Sequence, residues 1–201
     1  MELAQVRCLA RVSACIGSGD ETRLGEELNS ALQCAIPVPV IREAILQTYL
    51  FAGYAATINA FIALNDLIGP NPQFFTEEVA SLEDWQQRGT ELCKIIYGDQ
   101  FERLVGNMKR LHPDLAEWMI SEGYGKVLSR PFLTPRVREL LIVAMTAVLK
   151  VQRQFYSHVR GALHAGASAE ELRSVFAEAV PFMHESSVPT FQQIVNDLTG
   201  E

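Results

Sequence analysis

Apolar residues recur at the helical period along almost the whole chain. In one segment they lie three or four residues apart, at Ile41, Ala44, Ile45 and Tyr49. This spacing places them on one face of an amphipathic helix. No run alternates apolar and polar residues between hairpin turns, which is the pattern that indicates strands. The sequence therefore predicts an all-α fold.

Short capping motifs mark the ends of helices in the last third of the chain. Thr134 precedes a proline, which is typical of a helix start, and the helix is expected to reach Lys150. Gly161 is expected to interrupt the next helix, and Gly166 suits the left-handed position that ends it. Ser168, with a glutamate three residues later, forms a capping box that begins a third helix.

A loop is predicted near the middle of the chain. Residues 67–79, LIGPNPQFFTEEV, combine a glycine, two prolines and an asparagine in one short window. These residues favour turns and end helices. We therefore divide the chain into an N-terminal part, 1–70, and a C-terminal part, 71–201, which are expected to form one compact unit.

The chain aligns with itself after a shift of 131 residues, which indicates an internal repeat. Residues 6–51 then share eight identities with residues 137–182, and apolar faces and caps fall in phase. We interpret the two parts as a tandem helical repeat whose first copy is degenerate. On this alignment Glu27 lies opposite His158, so only the second copy holds a Glu139/His158 pair.

Charge and cysteine content limit the possible partners. The chain has 17 basic and 24 acidic residues, a net charge of −7, and scattered basic positions, so it is not expected to bind nucleic acid. Its cysteines form no C-x-x-C pair and are interpreted as buried or incidental thiols of a reducing compartment, the cytoplasm. They are Cys8, Cys15, Cys34 and Cys93.

One uncharged segment is nearly long enough to cross a membrane. Residues 44–65 include 22 positions without a charge, and about 20 span a bilayer. Several polar side chains and a central Gly53 favour another interpretation, in which two helices meet at a hinge, residues 52–54. We expect these helices to lie in the protein core or in a subunit interface, and we expect no membrane partner.

His158 and Glu139 are the first candidates for chemistry. His158 lies beside the apolar stripe of its helix, and an imidazole titrates near neutral pH. Glu139 lies 19 residues earlier, one turn into the preceding helix, so an antiparallel helix pair would bring the two together. A buried carboxylate beside an imidazole can support proton transfer. The alternative is structural: a histidine with one hydrogen bond, and an acid that favours its helix dipole.

Arginines close to these residues are candidates for binding an anionic substrate. Arg130, Arg136 and Arg138 surround the start of the helix that carries Glu139, and Arg160 lies close to His158. A guanidinium binds a carboxylate through two hydrogen bonds. The alternative is that these arginines are solvated or paired with neighbouring acids.

The remaining histidines do not indicate a metal site. They are not spaced with carboxylates as metal ligands usually are, and they are His112, His164 and His184. No glycine-rich phosphate loop and no G-x-S-x-G motif occurs in the chain. We therefore expect no metal and no organic cofactor.

Three stretches resemble the carboxymuconolactone decarboxylase family, whose relatives include the peroxide-reducing alkylhydroperoxidase D proteins. Residues 138–176 resemble the core helix pair with its continuation H-x-x-x-A-L-x-x-G-x-S-x-E-E. Residues 88–99 and 122–140 are similar to the decarboxylase branch, and residues 41–61 resemble the helices that close each repeat. The resemblance implies an alkylhydroperoxidase D-like helical bundle.

The resemblance argues against thiol chemistry at this site. Peroxide-reducing members carry C-x-x-C-x-x-x-H with a glutamate upstream. Placing His158 on that histidine puts Glu139 at the glutamate and Val151 and Gln154 at the cysteines. Neither of these last two can form a thiolate. Peroxide reduction would instead need two of the distant cysteines close in space, with one of them exposed.

The resemblance implies a carboxy-lyase or lactone-processing enzyme that acts without a cofactor on a small anionic metabolite or lactone. His158 is then the proton donor and Glu139 orients it. The implied substrate-binding residues are Arg130, Arg138, Arg160 and Tyr124, the last where the decarboxylase branch tends to have tryptophan. The open alternative is a non-enzymatic relative that binds a ligand or partner through residues 52–61. The family resemblance also implies a homo-oligomer, a trimer or hexamer-like assembly.

Overall fold

The computed structural model describes residues 1–69 and 80–200. A π-helical segment, Met119–Leu128, follows the seventh helix directly. The α-helices are α1 Leu3–Ser18, α2 Glu21–Gln33, α3 Val38–Leu46, α4 Tyr49–Ile68, α5 Leu82–Tyr97, α6 Phe101–Leu111, α7 Pro113–Trp118, α8 Pro135–Val148, α9 Gln152–His164, α10 Ala169–Ala179 and α11 Val188–Thr199. No strand occurs in the described ranges, so the predicted all-α class is confirmed. The predicted loop lies mostly outside them, and the division at residue 70 stays a prediction.

The capping motifs lie where the sequence predicts. The Thr134 side chain accepts a backbone N–H at the start of α8, and Ser168 and Glu171 form a reciprocal capping box at α10. Gly166 follows α9 with a φ of 91°. One prediction is wrong: α9 runs unbroken through Gly161. This glycine acts through the space that it leaves for neighbouring side chains.

The structure confirms the tandem repeat. A shift of 131 residues carries α2 onto α9 with identical ends, and it carries α1 and α3 onto α8 and α10. The same shift relates three pairs with positive φ: Gly19 (71°) and Lys150 (59°), Ala35 (55°) and Gly166 (91°), and Gly69 (72°) and Gly200 (82°). The two copies therefore turn their chains at equivalent places, and α5 to the π-helical segment lie between them in sequence.

Helix α8 lies at the centre of the molecule. All its residues from Val137 to Val148 are buried, because α1, α9 and α10 pack around it. The larger apolar core joins the two copies. A smaller core forms where α5 and the π-helical segment pack on Ile142 of α8. Glu139 is carried by α8, so it is held by a helix that is enclosed on several sides.

The π-helical segment contacts α5 backbone to backbone. A Cβ on Gly89 would lie 2.0 Å from the carbonyl oxygen of Ile120, and one on Gly125 would lie 1.9 Å from that of Trp85. Only glycine permits such close approach of two backbones. This contact fixes the position of the neighbouring Tyr124, and π-helical turns are frequent at functional sites.

Helix α4 is long and apolar enough to cross a membrane, judged by length and composition alone. Gly53, at φ 84°, breaks it at the predicted hinge. The part after the hinge, Tyr54–Ile68, is about 22 Å long, whereas the hydrocarbon core of a bilayer is about 30 Å thick. Tyr54, Ile58 and Ile62 are 67%, 53% and 53% exposed. Burial of this face in the protein core is therefore a wrong prediction, and a subunit interface stays a prediction.

The cysteines differ from the expectation of four thiols. Cys8 of α1 and Cys34 at the end of α2 form a disulfide, and both residues are half-buried. Cys15 and Cys93 are free and buried. Burial raises the pKa of Cys15 to about 12 and raises that of Cys93 further, so neither free thiol ionises readily. The sequence gave no signal for the disulfide because its cysteines lie 26 residues apart.

Candidate active site

Glu139 and His158 meet inside the helix pair α8–α9. The Nδ1 atom of His158 lies 2.8 Å from Oε2 of Glu139, and the two side chains are 8% and 1% exposed. The turn after α8 folds α9 back along it, which brings together residues 19 apart in sequence. Because Glu139 occupies Nδ1, Nε2 is the ring nitrogen left for a bound molecule.

Gly161 makes room for the Glu139 carboxylate. A Cβ at this position would lie 2.6 Å from Oε2 of Glu139 and 2.7 Å from Cγ2 of Ile96. The other carboxylate oxygen, Oε1, is buried and has no hydrogen-bond partner among the described residues. The carboxylate is thus held tightly and is directed at the imidazole of His158.

The first copy of the repeat also contributes to the site. Phe51, at the start of α4, packs edge-on against the His158 ring, with 5.5 Å between ring centroids and 81° between ring planes. This contact and the hydrogen bond to Glu139 restrain the imidazole on two sides. The orientation of His158 therefore depends on both copies.

His158 opens into a cavity of about 400 Å³. Residues of α4, α5, α6, α7, the π-helical segment and α9 surround it, and its surface is mostly apolar. The lining residues include Leu50, Phe51, Leu104, Met108, Leu115, Trp118, Met119 and Leu128. Glu122 and Arg153 carry charges into this lining, and Gln154 also lines it. A cavity of this size and polarity suits a small organic molecule.

Two tyrosines form a hydrogen-bonded pair on the cavity wall. The hydroxyls of Tyr97 and Tyr124 are 2.6 Å apart. Burial, with the charge of nearby Glu139, raises the pKa of Tyr97. Burial raises the pKa of Tyr124 well above its ordinary value, and Tyr97 and Glu139 add to the effect. Both phenols therefore stay protonated at neutral pH. One hydroxyl donates to the other, so the pair keeps one O–H for a bound molecule.

Two predicted substrate-binding arginines lie elsewhere. Arg130 binds both carboxylate oxygens of Glu43, at 2.8 to 3.2 Å. Arg138 is 1% exposed and donates to Glu43 and to the Gln47 side chain. Burial lowers the pKa of Arg138 to about 10, and Glu43 opposes this change. Neither arginine lines the cavity of His158. Glu43, which the sequence analysis did not single out, occupies their charges.

The other predicted residues lie closer to His158. Tyr124 lines the cavity itself, and Arg160 lines an adjoining cavity on the outer side of α9. Arg153 lines the cavity but was not singled out, although it lies only five residues before His158. Tyr97 was also missed, because its proximity depends on how α5 packs on α9.

The positions that resemble a thiol motif hold no sulfur. Val151 precedes α9 and is exposed, and Gln154 is exposed on the cavity rim. The Cys8–Cys34 pair brings two cysteines together in the first copy, but neither lines the cavity of His158. Within the described ranges no three His, Cys, Asp or Glu side chains cluster as metal ligands do. The chemistry available at this cavity is that of imidazole, carboxylate and phenol.

Comparison with known proteins gives two matches. Residues 113–184 match the Carboxymuconolactone decarboxylase family, a range that includes the π-helical segment, Glu139 and His158. The chain is also similar to Peroxisomal protein 2 of Schizosaccharomyces pombe (strain 972 / ATCC 24843). The two are 29% identical over 152 residues, which cover 75% of this chain and 71% of the relative.

Proposed function

We propose that this chain, whose residues 113–184 belong to the carboxymuconolactone decarboxylase family, decarboxylates a small, largely apolar carboxylate or lactone without a cofactor. The observation that carries the proposal is the 2.8 Å contact between His158 and Glu139 at the wall of an apolar cavity. General acid catalysis needs a titratable group that is held in place and shielded from water. This pair supplies such a group.

His158 supplies the proton in this reaction. When the bond to the carboxylate breaks, CO₂ leaves and the electron pair moves through the unsaturated lactone onto its carbonyl oxygen. The resulting enolate then takes a proton from Nε2 of protonated His158, which forms the new C–H bond. Glu139 accepts the Nδ1–H hydrogen bond and stabilises the imidazolium before this transfer. Solvent returns the proton to His158 after product release.

The surrounding residues support the charge changes of the reaction. The apolar lining disfavours a localised carboxylate more than a delocalised enolate, so loss of CO₂ is favoured there. The free O–H of the Tyr97–Tyr124 pair can donate to the enolate oxygen. Arg153 binds an anionic group of the substrate at the cavity rim. No step requires a metal or an organic cofactor.

The test is CO₂ release from 4-carboxymuconolactone and related lactones. The wild-type protein is expected to release CO₂, and His158→Ala is expected to lose at least about 100-fold in rate, the usual contribution of a general acid. His164→Ala is the matched control, because His164 is an exposed histidine of the same helix that does not line the cavity. Absence of turnover on every lactone, or a fully active His158→Ala, contradicts the proposal.

One observation favours a second candidate function, the binding of an uncharged ligand without turnover. Glu122 lines the cavity and accepts a hydrogen bond from Tyr49 at 3.1 Å. Its negative charge would repel a carboxylate substrate. Binding of a neutral lactone, without CO₂ release from its carboxylated form and with equal affinity in Glu139→Gln, supports this second candidate.

For location we propose an intracellular compartment. The name of the fission-yeast relative indicates the peroxisome, whereas the sequence analysis expects the cytoplasm. Imaging of a fluorescent fusion with a peroxisomal marker distinguishes the two compartments. Export of the fusion from the cell contradicts both.

A further inference from the structure

A second cavity adjoins the cavity of His158. It lies between α6 and α9, has a volume of about 420 Å³, and shares Tyr97, Leu104 and Ser157 with the first cavity. Its remaining lining is polar, from Gln100, Arg103, Asn107, Tyr156, Arg160 and His164. The proposed decarboxylation gives these six residues no role.

Helical spacing directs several of these side chains into the second cavity. Arg103 and Asn107 lie four residues apart on α6. Tyr156, Arg160 and His164 follow one another at intervals of four on α9. Residues four apart share a helix face, so each helix presents a guanidinium to the space between them. The cavity is therefore cationic on both walls.

No acidic side chain offsets this charge among the described residues that line the second cavity. Arg103 and Arg160 form no ion pair with a described residue, although the chain has 24 acidic against 17 basic residues. Elsewhere the arginines Arg11, Arg130 and Arg138 are paired with glutamates. Two guanidinium groups that face one cavity repel each other, and a bound anion removes that repulsion.

His164 is positioned to add to the binding of an anion. Its Nδ1 lies 2.8 Å from the carbonyl oxygen of Ile96, which accepts the Nδ1–H. A proton on Nε2 then makes the ring a cation that donates into the cavity. The hydroxyl of Tyr156 and the carboxamide of Asn107 are further donors in the same lining.

We infer that this second cavity binds the phosphate group of an organic phosphate. A tetrahedral phosphate accepts hydrogen bonds from more directions than a planar carboxylate, and the lining offers two guanidiniums, an imidazole, a phenol and a carboxamide. The shared wall directs the organic part of the ligand toward His158. This last placement rests on the proposed function, whereas phosphate binding does not.

Calorimetric titration tests the inference with three probes: inorganic phosphate, phenyl phosphate and succinate. Phosphate is expected to bind the wild-type protein, and phenyl phosphate is expected to bind more tightly because its ring reaches the apolar cavity. Arg103→Gln and Arg160→Gln are each expected to weaken phosphate binding about tenfold or more, as expected for a lost charged hydrogen bond. Arg153→Gln is the matched control, since Arg153 lies on α9 but lines the other cavity.

His158→Ala separates this inference from the proposed function. It is expected to bind inorganic phosphate like the wild type, even though it releases no CO₂. Phosphate affinity that is unchanged in Arg103→Gln and Arg160→Gln overturns the site, and so does tighter binding of succinate than of phosphate. Phenyl phosphate that binds no better than phosphate overturns the placement of the organic part. Circular dichroism confirms that each variant is folded before it is titrated.

Discussion

At the scale of single residues, the Glu139–His158 contact depends on a position that carries no side chain. Gly161 lies three residues after His158 on α9, and only its hydrogen atom separates the helix from the Glu139 carboxylate. The sequence presents this glycine as a helix breaker. In the structure the helix is regular there, and the glycine is explained by its neighbours on α8 and α5.

Gly161→Ala is expected to destabilise the protein by about 1–3 kcal/mol, because the added methyl group overlaps Glu139 and Ile96. Urea unfolding measures this change. Gly25→Ala is the control: Gly25 lies within α2 with no atom within 4 Å of the added methyl group, so alanine should stabilise by up to about 1 kcal/mol. Equal stability of Gly161→Ala and the wild type contradicts the close contact.

The tyrosine pair gives a prediction for alkaline pH. Unfolded tyrosine has a pKa near 10, and the folded pKa values of Tyr97 and Tyr124 are higher. Above pH 10 the unfolded state therefore loses protons that the folded state keeps, so the free energy of unfolding falls as pH rises. Each tyrosine contributes up to about 1.4 kcal/mol per pH unit. The Tyr97→Phe/Tyr124→Phe variant should show a shallower fall between pH 10 and 11 in urea unfolding. An unchanged slope contradicts the raised pKa values.

At the scale of helices, local patterns predict the elements better than their contacts. The caps at Thr134 and Ser168 and the turn at Gly166 are visible in sequence because each depends on residues within a few positions. The Glu139–His158 contact is also accessible, since it joins consecutive helices. Arg153 and Tyr97 are not, because the cavity also includes α5 to α7, whose placement has no periodic signal. The π-helical segment depends on the same long-range packing.

The disulfide is an example of such a long-range contact, since it ties α1 to the end of α2. It closes a loop over a separation of 26 residues, and loops of that length are stabilised by about 2–4 kcal/mol. Cys8→Ser should lower the free energy of unfolding by this amount under oxidising conditions and should match the wild type in a reducing agent. Thiol counting should find two free thiols in the unfolded, non-reduced protein. Four free thiols contradict the disulfide.

At the scale of the whole molecule, the repeat explains why the chain has a Glu/His pair in one copy. The shift of 131 residues places Glu27 opposite His158, and Glu27 is bound by Arg11 through two hydrogen bonds. Phe182, opposite Phe51, packs on Arg11 and Arg23 in place of an imidazole. The first copy thus keeps the architecture but uses it for an ion-pair cluster.

The repeat also isolates an apolar surface on α4. The positions of Tyr54, Ile58 and Ile62 correspond to Glu185, Pro189 and Gln193 in the second copy. The fold therefore does not require apolar residues at these exposed sites. A surface stripe of this kind is typical of an interface, and we propose that a second copy of the chain covers it in a homo-oligomer.

Sedimentation analysis tests this assembly. The wild-type protein is expected to sediment as an oligomer, and Ile58→Glu/Ile62→Glu is expected to dissociate it because the added charges would be buried in the interface. Gln193→Glu places the same charge at the equivalent exposed position of the second copy and should leave the assembly intact. A monomeric wild-type protein contradicts the proposed interface.

A double-mutant cycle on CO₂ release tests most directly whether Glu139 acts through His158. If the two act as one proton-transfer unit, Glu139→Gln and His158→Ala each lower the turnover rate by about 100-fold or more, and the double variant is no slower than His158→Ala. If the two losses multiply in the double variant, or if Glu139→Gln keeps the wild-type rate, the carboxylate does not act through the imidazole and the account of the site is contradicted.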